Sequence, residues 1–294
     1  MARLGYWYPQ AGRLIEHPGH HNLAWEISAD PRFNPRQGTL DDLLREVRGR
    51  DEDIFLSSED FECALHDRAR FAGAISRLQA GGMNMRVVLY VRPQSDYLAR
   101  MYLTLLRFGM ELTFDAVLES VLNQGELRWR GQVFNFDYAD LLARLEGLDR
   151  VEVAVRSYDR ASSSICADFL SVFNLSLADV ALTEELVANP SLPLRDCLRI
   201  FLCNRRRRVL LPHEEIAMDR LFTPPTRGIH LSPGATDRVV ARFLAGNHSL
   251  FLRYGIPEPE VDAPTGAPGD RAAPFVDQLF SGRTEAHVLT ARAR

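Results

Sequence analysis

Short unbroken apolar runs alternate along this chain with stretches in which apolar residues recur every three or four positions. The run MRVVLYV (85–91) is β-branched and uninterrupted, the pattern of a parallel strand buried on both faces. DIFLSSEDF (53–61) is a shorter run that empties into hydroxyls and carboxylates, and VEVAVRSY (151–158) is a third. Helical spacing fits HNLAWEI, LDDLLREVRG (40–49, with a glycine stop), ALHDRARFAGAISRLQAGG, and the segment from near Ser95 through DYLARMYLTLLRFG. It continues in DYADLLARLEGLDR, ICADFLSVFNL, SLPLRDCLRIFLCNRRRR and ATDRVVARFLAGNHSLFLRYG, the last preceded by HLSPGATD, which reads as an N-terminal helix cap. The remainder of the first 39 residues reads as loop. From Pro257 the composition turns to Pro, Gly, Ala and Asp, so residues 257–294 are expected to be a disordered tail behind an α/β domain over 1–256.

Strands alternating with helices predict an α/β fold: a three-layer α/β/α arrangement with a central parallel sheet and a helical C-terminal part. Ligands in such sheets bind beyond the carboxyl ends of the strands. The polar strand ends SSED, RPQSD and SYDR are therefore expected to converge on one crevice.

Composition narrows the chemistry. The chain has 294 residues, of which 46% are hydrophobic, and its net charge of −4 argues against a general nucleic-acid binder. No apolar stretch reaches the roughly 18 residues of a membrane span, and MARLGYWYPQAGR has no secretory-signal pattern, so a cytoplasmic protein is expected. Cys63, Cys166, Cys197 and Cys203 lack CxxC spacing and read as reduced thiols, with no metal expected. There is no lysine: all 35 basic residues are arginine. Any bound phosphate must be held by guanidinium forks, hydroxyls or backbone N–H groups, and a Walker lysine is impossible. The run RRRR (205–208) ends a helix, where cations favour the dipole, and reads as a solvated turn more readily than as a polyanion patch.

Arg92 follows the best strand and precedes a helix whose first turn exposes N–H groups, a natural anion site. The competing reading is a strand-end arginine paired with Asp96.

The segment VVLYVRPQSDYLARMY resembles the 3′-phosphate-binding segment of the sulfotransferases, which move a sulfuryl group from 3′-phosphoadenosine 5′-phosphosulfate (PAPS). YWYPQAG, GHHNLAW, FLSSEDF, VRSYDR ahead of DFLSVFNL, NPSLP and FLAGNHSLFLRYG resemble the bacterial carbohydrate-type branch, in order, over roughly residues 4 to 256. The resemblance implies a P-loop NTPase-like fold, PAPS as donor and a glycan-type hydroxyl acceptor. It implies that Arg92 grips the 3′-phosphate, that Tyr102 takes the family's aromatic position and Tyr158 its adenine-side tyrosine. Arg100 stands where the family has serine. The family's opening strand and PKTGTT-like loop have no counterpart ahead of MARLGYWYP, from which either a longer gene product or a truncated, catalytically inactive homologue is expected. Sulfuryl transfer to a hydroxyl needs a general base, for which Glu59, His20 and His21 are the candidates, with Ser57 and Ser58 placed to contact donor or acceptor. The alternatives are a loop packed by hydrogen-bonded imidazoles, a salt-bridged Glu59 and a half-buried strand-end Tyr158. A kinase would need a Walker loop and Mg²⁺ carboxylates that the sequence lacks.

Overall fold

The computed structural model describes residues 5–16, 19–158, 164–180, 192–221, 229–255 and 275–290. The elements run β1 (Tyr6–Trp7), α1 (His21–Ser28), α2 (Leu40–Val47), β2 (Asp53–Ile54), α3 (Phe61–Ala64), α4 (Arg68–Ala80), β3 (Met85–Val91), α5 (Gln94–Arg107) and α6 (Phe114–Gln124). They continue with β4 (Glu126–Trp129), β5 (Gln132–Asn135), α7 (Tyr138–Glu146), β6 (Val151–Ser157), α8 (Ile165–Ser171), α9 (Leu194–Arg206), α10 (Pro212–Leu221), α11 (Pro233–Tyr254), α12 (Val276–Leu279) and α13 (Gly282–Thr290). The chain is mixed α/β and divides into two units. The first comprises Met1–Val91, Glu126–Glu185 and Leu252–Ile256; the second comprises Arg92–Gly125, Leu186–Phe251 and Pro257–Arg294.

In the first unit β3 and β6 pair in parallel, from Met85 opposite Val151 to Val91 opposite Ser157. Helix α7 packs on β6. The expected parallel pairing is found, in small sheets rather than in one central sheet among the described residues. Among the described residues the strands pair two by two, as β1 with β2, β3 with β6 and β4 with β5. Most of β3 and β6 is half-buried, and Val91 and Val155 are their buried positions. The run at 53–61 contributes only Asp53–Ile54 as strand, opposite Tyr6–Trp7, and the pairing ends with the Phe55 N–H on Trp7 O. Pro9 has no N–H with which to continue β1 as a ladder.

Local rules explain the helices. Thr39 and Asp42 form a reciprocal capping box that starts α2, and Asp67 caps α4 through the Arg70 N–H. Helix α1 buries Leu23, Ala24 and Ile27, a spacing that keeps them on one face, and stops at Ala29 in the left-handed region. The β4–β5 hairpin turns on Arg130 (φ 49°) and Gly131 (φ 82°), the two positive φ values of a type I′ turn.

The second unit is helical. Its centre is an aromatic cluster in which Tyr102 meets Phe114 and Phe280 edge-on at 5.1 and 5.5 Å, and Phe201 meets Phe280 at 5.7 Å. All four side chains are fully buried. The C-terminal part corrects the expectation of a disordered tail. Helices α12 and α13 lie within 257–294, and the Phe114 N–H donates to Phe280 O at 3.0 Å. Phe280 supplies the apolar anchor that the Pro- and Gly-rich composition before it conceals. Residues 256–274 lie outside the described residues. The Ser232 hydroxyl accepts the Ala235 N–H and caps α11 as expected. No helix among the described residues is long and apolar enough to cross a membrane.

Candidate active site

Helix α1 carries His21 and Trp25 four residues apart, so both reach out from one face. They converge on one atom of Asp60, at the start of α3: His21 Nδ1 and Trp25 Nε1 each lie 2.9 Å from Oδ2. The other oxygen of Asp60 is approached at 3.5 Å by Arg32 Nη2 and by Gln132 Nε2 from the hairpin. Asp60 is 8% exposed, and this ring of donors is what makes a buried carboxylate tolerable. A carboxylate can only accept, so Nδ1 carries the imidazole proton and Nε2 is the basic nitrogen. Ser58 Oγ, which accepts the Asp60 N–H at 3.1 Å, lies 2.9 Å from the same Nδ1.

His21 Nε2 is 3.8 Å from Glu59 Oε2, and the Glu59 side chain is 86% exposed. The His21 ring is itself buried, at 9% exposure, and is held at Nδ1. A Cβ added at Gly19 would stand 2.8 Å from Nε2, so the absence of a side chain at that position leaves room for the ring edge. Ser58 and Asp60 share one nitrogen. They do not form a nucleophile–base–acid relay, which needs the two partners on opposite ring nitrogens. What the arrangement can do is accept a proton at Nε2 and stabilise the resulting imidazolium against Asp60.

His20 is a different case, and the expectation that it serves as a base is corrected. It is completely buried. Its Nε2 donates to Pro9 O at 3.2 Å and its Nδ1 accepts the Ser57 N–H at 3.2 Å, so both ring nitrogens are engaged. Burial pushes its pKa down to about 4, so the ring stays neutral at neutral pH. Tyr8 packs edge-on against it at 4.5 Å, and the Tyr8 hydroxyl lies 2.7 Å from Ser57 Oγ. Ser57 is exposed and Ser58 half-buried.

Of the nucleotide-side residues, Arg92, Arg100 and Tyr102 fall in the second unit and Tyr158 in the first. Arg92 Nη1 lies 3.3 Å from Asp96 Oδ2, and its side chain is 18% exposed. Arg100 Nε reaches both oxygens of Asp96, at 2.8 and 3.0 Å. Asp96 thus gathers both guanidiniums at the first turn of α5, the pairing weighed above as the competing reading of Arg92. Pro93 gives α5 no side-chain cap. The expectation that Tyr102 contacts nucleotide is corrected: the ring belongs to the core, and its hydroxyl donates to Leu112 O at 2.9 Å. Burial raises its pKa well above the ordinary phenol value. Tyr158 is half-buried at the end of β6, while Asp159 and Arg160 of SYDR lie outside the described residues. The arginine run is tied down: Arg205 to Glu285 at 2.8 Å, Arg207 to Glu111 at 3.3 Å and Arg208 to Glu214 at 2.7 Å.

The structure brings together His20, His21, Ser57, Ser58 and Glu59, and separately Arg92 with Arg100. Sequence reasoning missed Asp60, the residue on which the first group is organised. The signal was there, since SSED offers adjacent carboxylates and HNLAW places His21 and Trp25 at helical spacing, but nothing in the pattern says which carboxylate turns inward. It also missed Trp25, Arg32 and Gln132 as its partners. Arg156, Asp168 and Tyr90 form another polar cluster, bonded among themselves. The four cysteines form no disulfide, and burial pushes the Cys63 thiol up to about 12. No group of three metal-ligating side chains occurs among the described residues. Comparison with protein families, curated proteins and solved structures finds no match to this chain.

Proposed function

We propose that the protein is a cytoplasmic sulfotransferase that moves a sulfuryl group from PAPS to a hydroxyl of a carbohydrate-type acceptor. The observation that carries this reading is the 2.9 Å contact of His21 with buried Asp60, which prepares Nε2 as a base. The acceptor oxygen attacks sulfur, its proton passes to His21 Nε2, and adenosine 3′,5′-bisphosphate leaves with the bonding pair on its 5′-phosphate oxygen. Asp60 holds the imidazolium that forms. The resemblance alone, and no geometry relating them to His21, assigns nucleotide binding to Arg92 and Arg100. The donor comes from the resemblance of the strand-end segments, and the base from the geometry. On this reading β3 and β6 belong to a three-layer, P-loop NTPase-like core, for which their parallel register and the helix that follows β3 are the support.

A second reading, a catalytically inactive homologue, is favoured by one observation: Asp96 already occupies both guanidiniums. Titration calorimetry with adenosine 3′,5′-bisphosphate, run beside transfer of labelled sulfate from PAPS to a glycan panel, separates the two. Binding with transfer is expected. Binding without transfer supports the inactive homologue, and neither binding nor transfer ends the sulfotransferase reading.

A further inference from the structure

We propose that the loops closing α5 and α9 form a docking surface for an anionic phospholipid membrane, on which the protein rests peripherally without spanning it. The proposal stands apart from the sulfotransferase reading, since it uses neither His21 nor a nucleotide. Exposed large apolar side chains gather on two short loops of the second unit. Phe108 (61% exposed) and Leu112 (43%) follow α5, and Val209 (76%) and Leu211 (46%) follow α9. Hydrogen bonds tie the two loops together. Asn204 Nδ2 donates to Leu106 O at 2.8 Å and to Met110 O at 3.2 Å, and Arg205 Nη1 donates to Glu111 O at 3.1 Å. The four apolar groups therefore belong to one surface. Single exposed apolar side chains are ordinary, but a group of them on bonded loops marks a place of contact.

The cations beside them select the partner. Arg205, Arg207 and Arg208 are each held by a glutamate, at 2.8, 3.3 and 2.7 Å. Arg107 in the last turn of α5 and Arg206 in the last turn of α9 are exposed, and neither has an ion pair among the described residues. A chain of net charge −4 thus carries unneutralised cations next to its exposed apolar loops. The helix dipole accounts for arginines at these ends, but not for the apolar groups beside them. Apolar recognition of a peptide uses a groove, whose lining side chains are partly covered. Phe108 and Val209 project from their loops instead. Projecting apolar groups flanked by arginines match the boundary of an anionic bilayer. The apolar side chains enter the acyl edge while the guanidiniums reach the phosphates.

The test is sedimentation of the full chain with sucrose-loaded vesicles of phosphatidylcholine alone, or of equal parts phosphatidylcholine and phosphatidylserine. The protein should sediment with the mixed vesicles, stay in the supernatant with phosphatidylcholine, and be released by high salt. A cation at an anionic leaflet is worth about fivefold in partition, so Arg206→Ala should lower binding about fivefold and Arg107→Ala with Arg206→Ala about twenty-fivefold. Val209→Ser with Leu211→Ser should lower it by about tenfold or more. Leu244→Ser is the control and should change nothing: it is an exposed apolar residue on α11, whose Arg242 bonds Leu122 O at the far end of α6 from Leu112. Equal binding to both vesicles, binding to neither, or a partition unmoved by Val209→Ser with Leu211→Ser overturns the proposal. Ultracentrifugation without lipid is the second arm. A dimer that Val209→Ser with Leu211→Ser dissociates would give the surface to a second copy and overturn the proposal, as would binding of soluble polyglutamate in place of vesicles. Vesicle binding in a protein that transfers no sulfate leaves the surface standing, and transfer without vesicle binding removes it.

Discussion

Two aspartates organise two corners of this protein, and they do opposite things with their neighbours. Asp60 takes the N–H groups of a histidine and a tryptophan, which fixes the His21 ring by its Nδ1. Asp96 takes two guanidiniums and neutralises the charge that an anionic ligand would seek. The difference lies in the partners. An imidazole has two chemically distinct nitrogens, so a carboxylate on one raises the usefulness of the other. A guanidinium carries a single delocalised charge, and a carboxylate on any edge diminishes all of it. On the proposed reading the first corner transfers a proton, and the second exchanges an internal anion for an external one.

The largest expected effect breaks the first corner. Asp60→Asn puts an amide donor against Nδ1, which favours the proton on Nε2, and His21→Gln removes the base. Each should lower kcat by about a hundred- to ten-thousandfold with KM changed far less. Equal turnover in both variants and wild type would show that the corner is structural. Asp60→Ala should in addition cost about 2–4 kcal/mol in urea unfolding, because buried N–H groups of His21 and Trp25 lose their acceptor.

Next comes the contrast between adjacent histidines. His20 has a folded pKa of about 4, below the ordinary 6.5, so between those values the unfolded chain binds more protons than the folded one. Stability from this group is full above pH 6.5 and is lost as pH falls toward 4, by up to about 3 kcal/mol. Urea titrations from pH 7 to pH 4.5 should show the loss in wild type, and His20→Gln should flatten that window while lowering stability at pH 7. A wild-type curve with no slope there would contradict the buried, neutral ring.

Smaller effects sharpen the second corner. Asp96→Asn should raise affinity for adenosine 3′,5′-bisphosphate by roughly tenfold, the scale of about 1.4 kcal/mol for freeing a paired cation. Arg92→Ala should weaken that affinity far more than Arg205→Ala, and equal losses would place the anion site elsewhere. Smallest of all, Arg100→Ala should alter the unfolding free energy by no more than about 0.5 kcal/mol, since its pair with Asp96 is an exposed contact one helical turn apart.

The helices were legible because their rules are local. Thr39 and Asp67 capped where Ser, Thr or Asp precedes a periodic run, and the positions of α5, α7, α9 and α11 follow apolar spacing that any reader can count. The hairpin was not legible. Arg130–Gly131 is not one of the common Asn-Gly or Asp-Gly turns, and α6 before it drew no notice. The C-terminal helices were hidden because a Pro- and Gly-rich stretch precedes them, and only the packing of Phe280 against Tyr102, Phe114 and Phe201 makes them worth forming.

By itself the sequence determined the alternation of strand and helix, the placing of Arg92 between β3 and α5, and the reliance on arginine for every fixed cation. Those follow from residue type and from neighbours within a turn or two. Only the tertiary structure decided that His20 bonds backbone groups while His21 meets a carboxylate, that Asp60 rather than Glu59 turns inward, that Tyr102 belongs to the core and that Asp96 holds two arginines. Each of those outcomes depends on which distant side chains a group meets and how much water it loses, and burial and hydrogen-bond partnership have no local code.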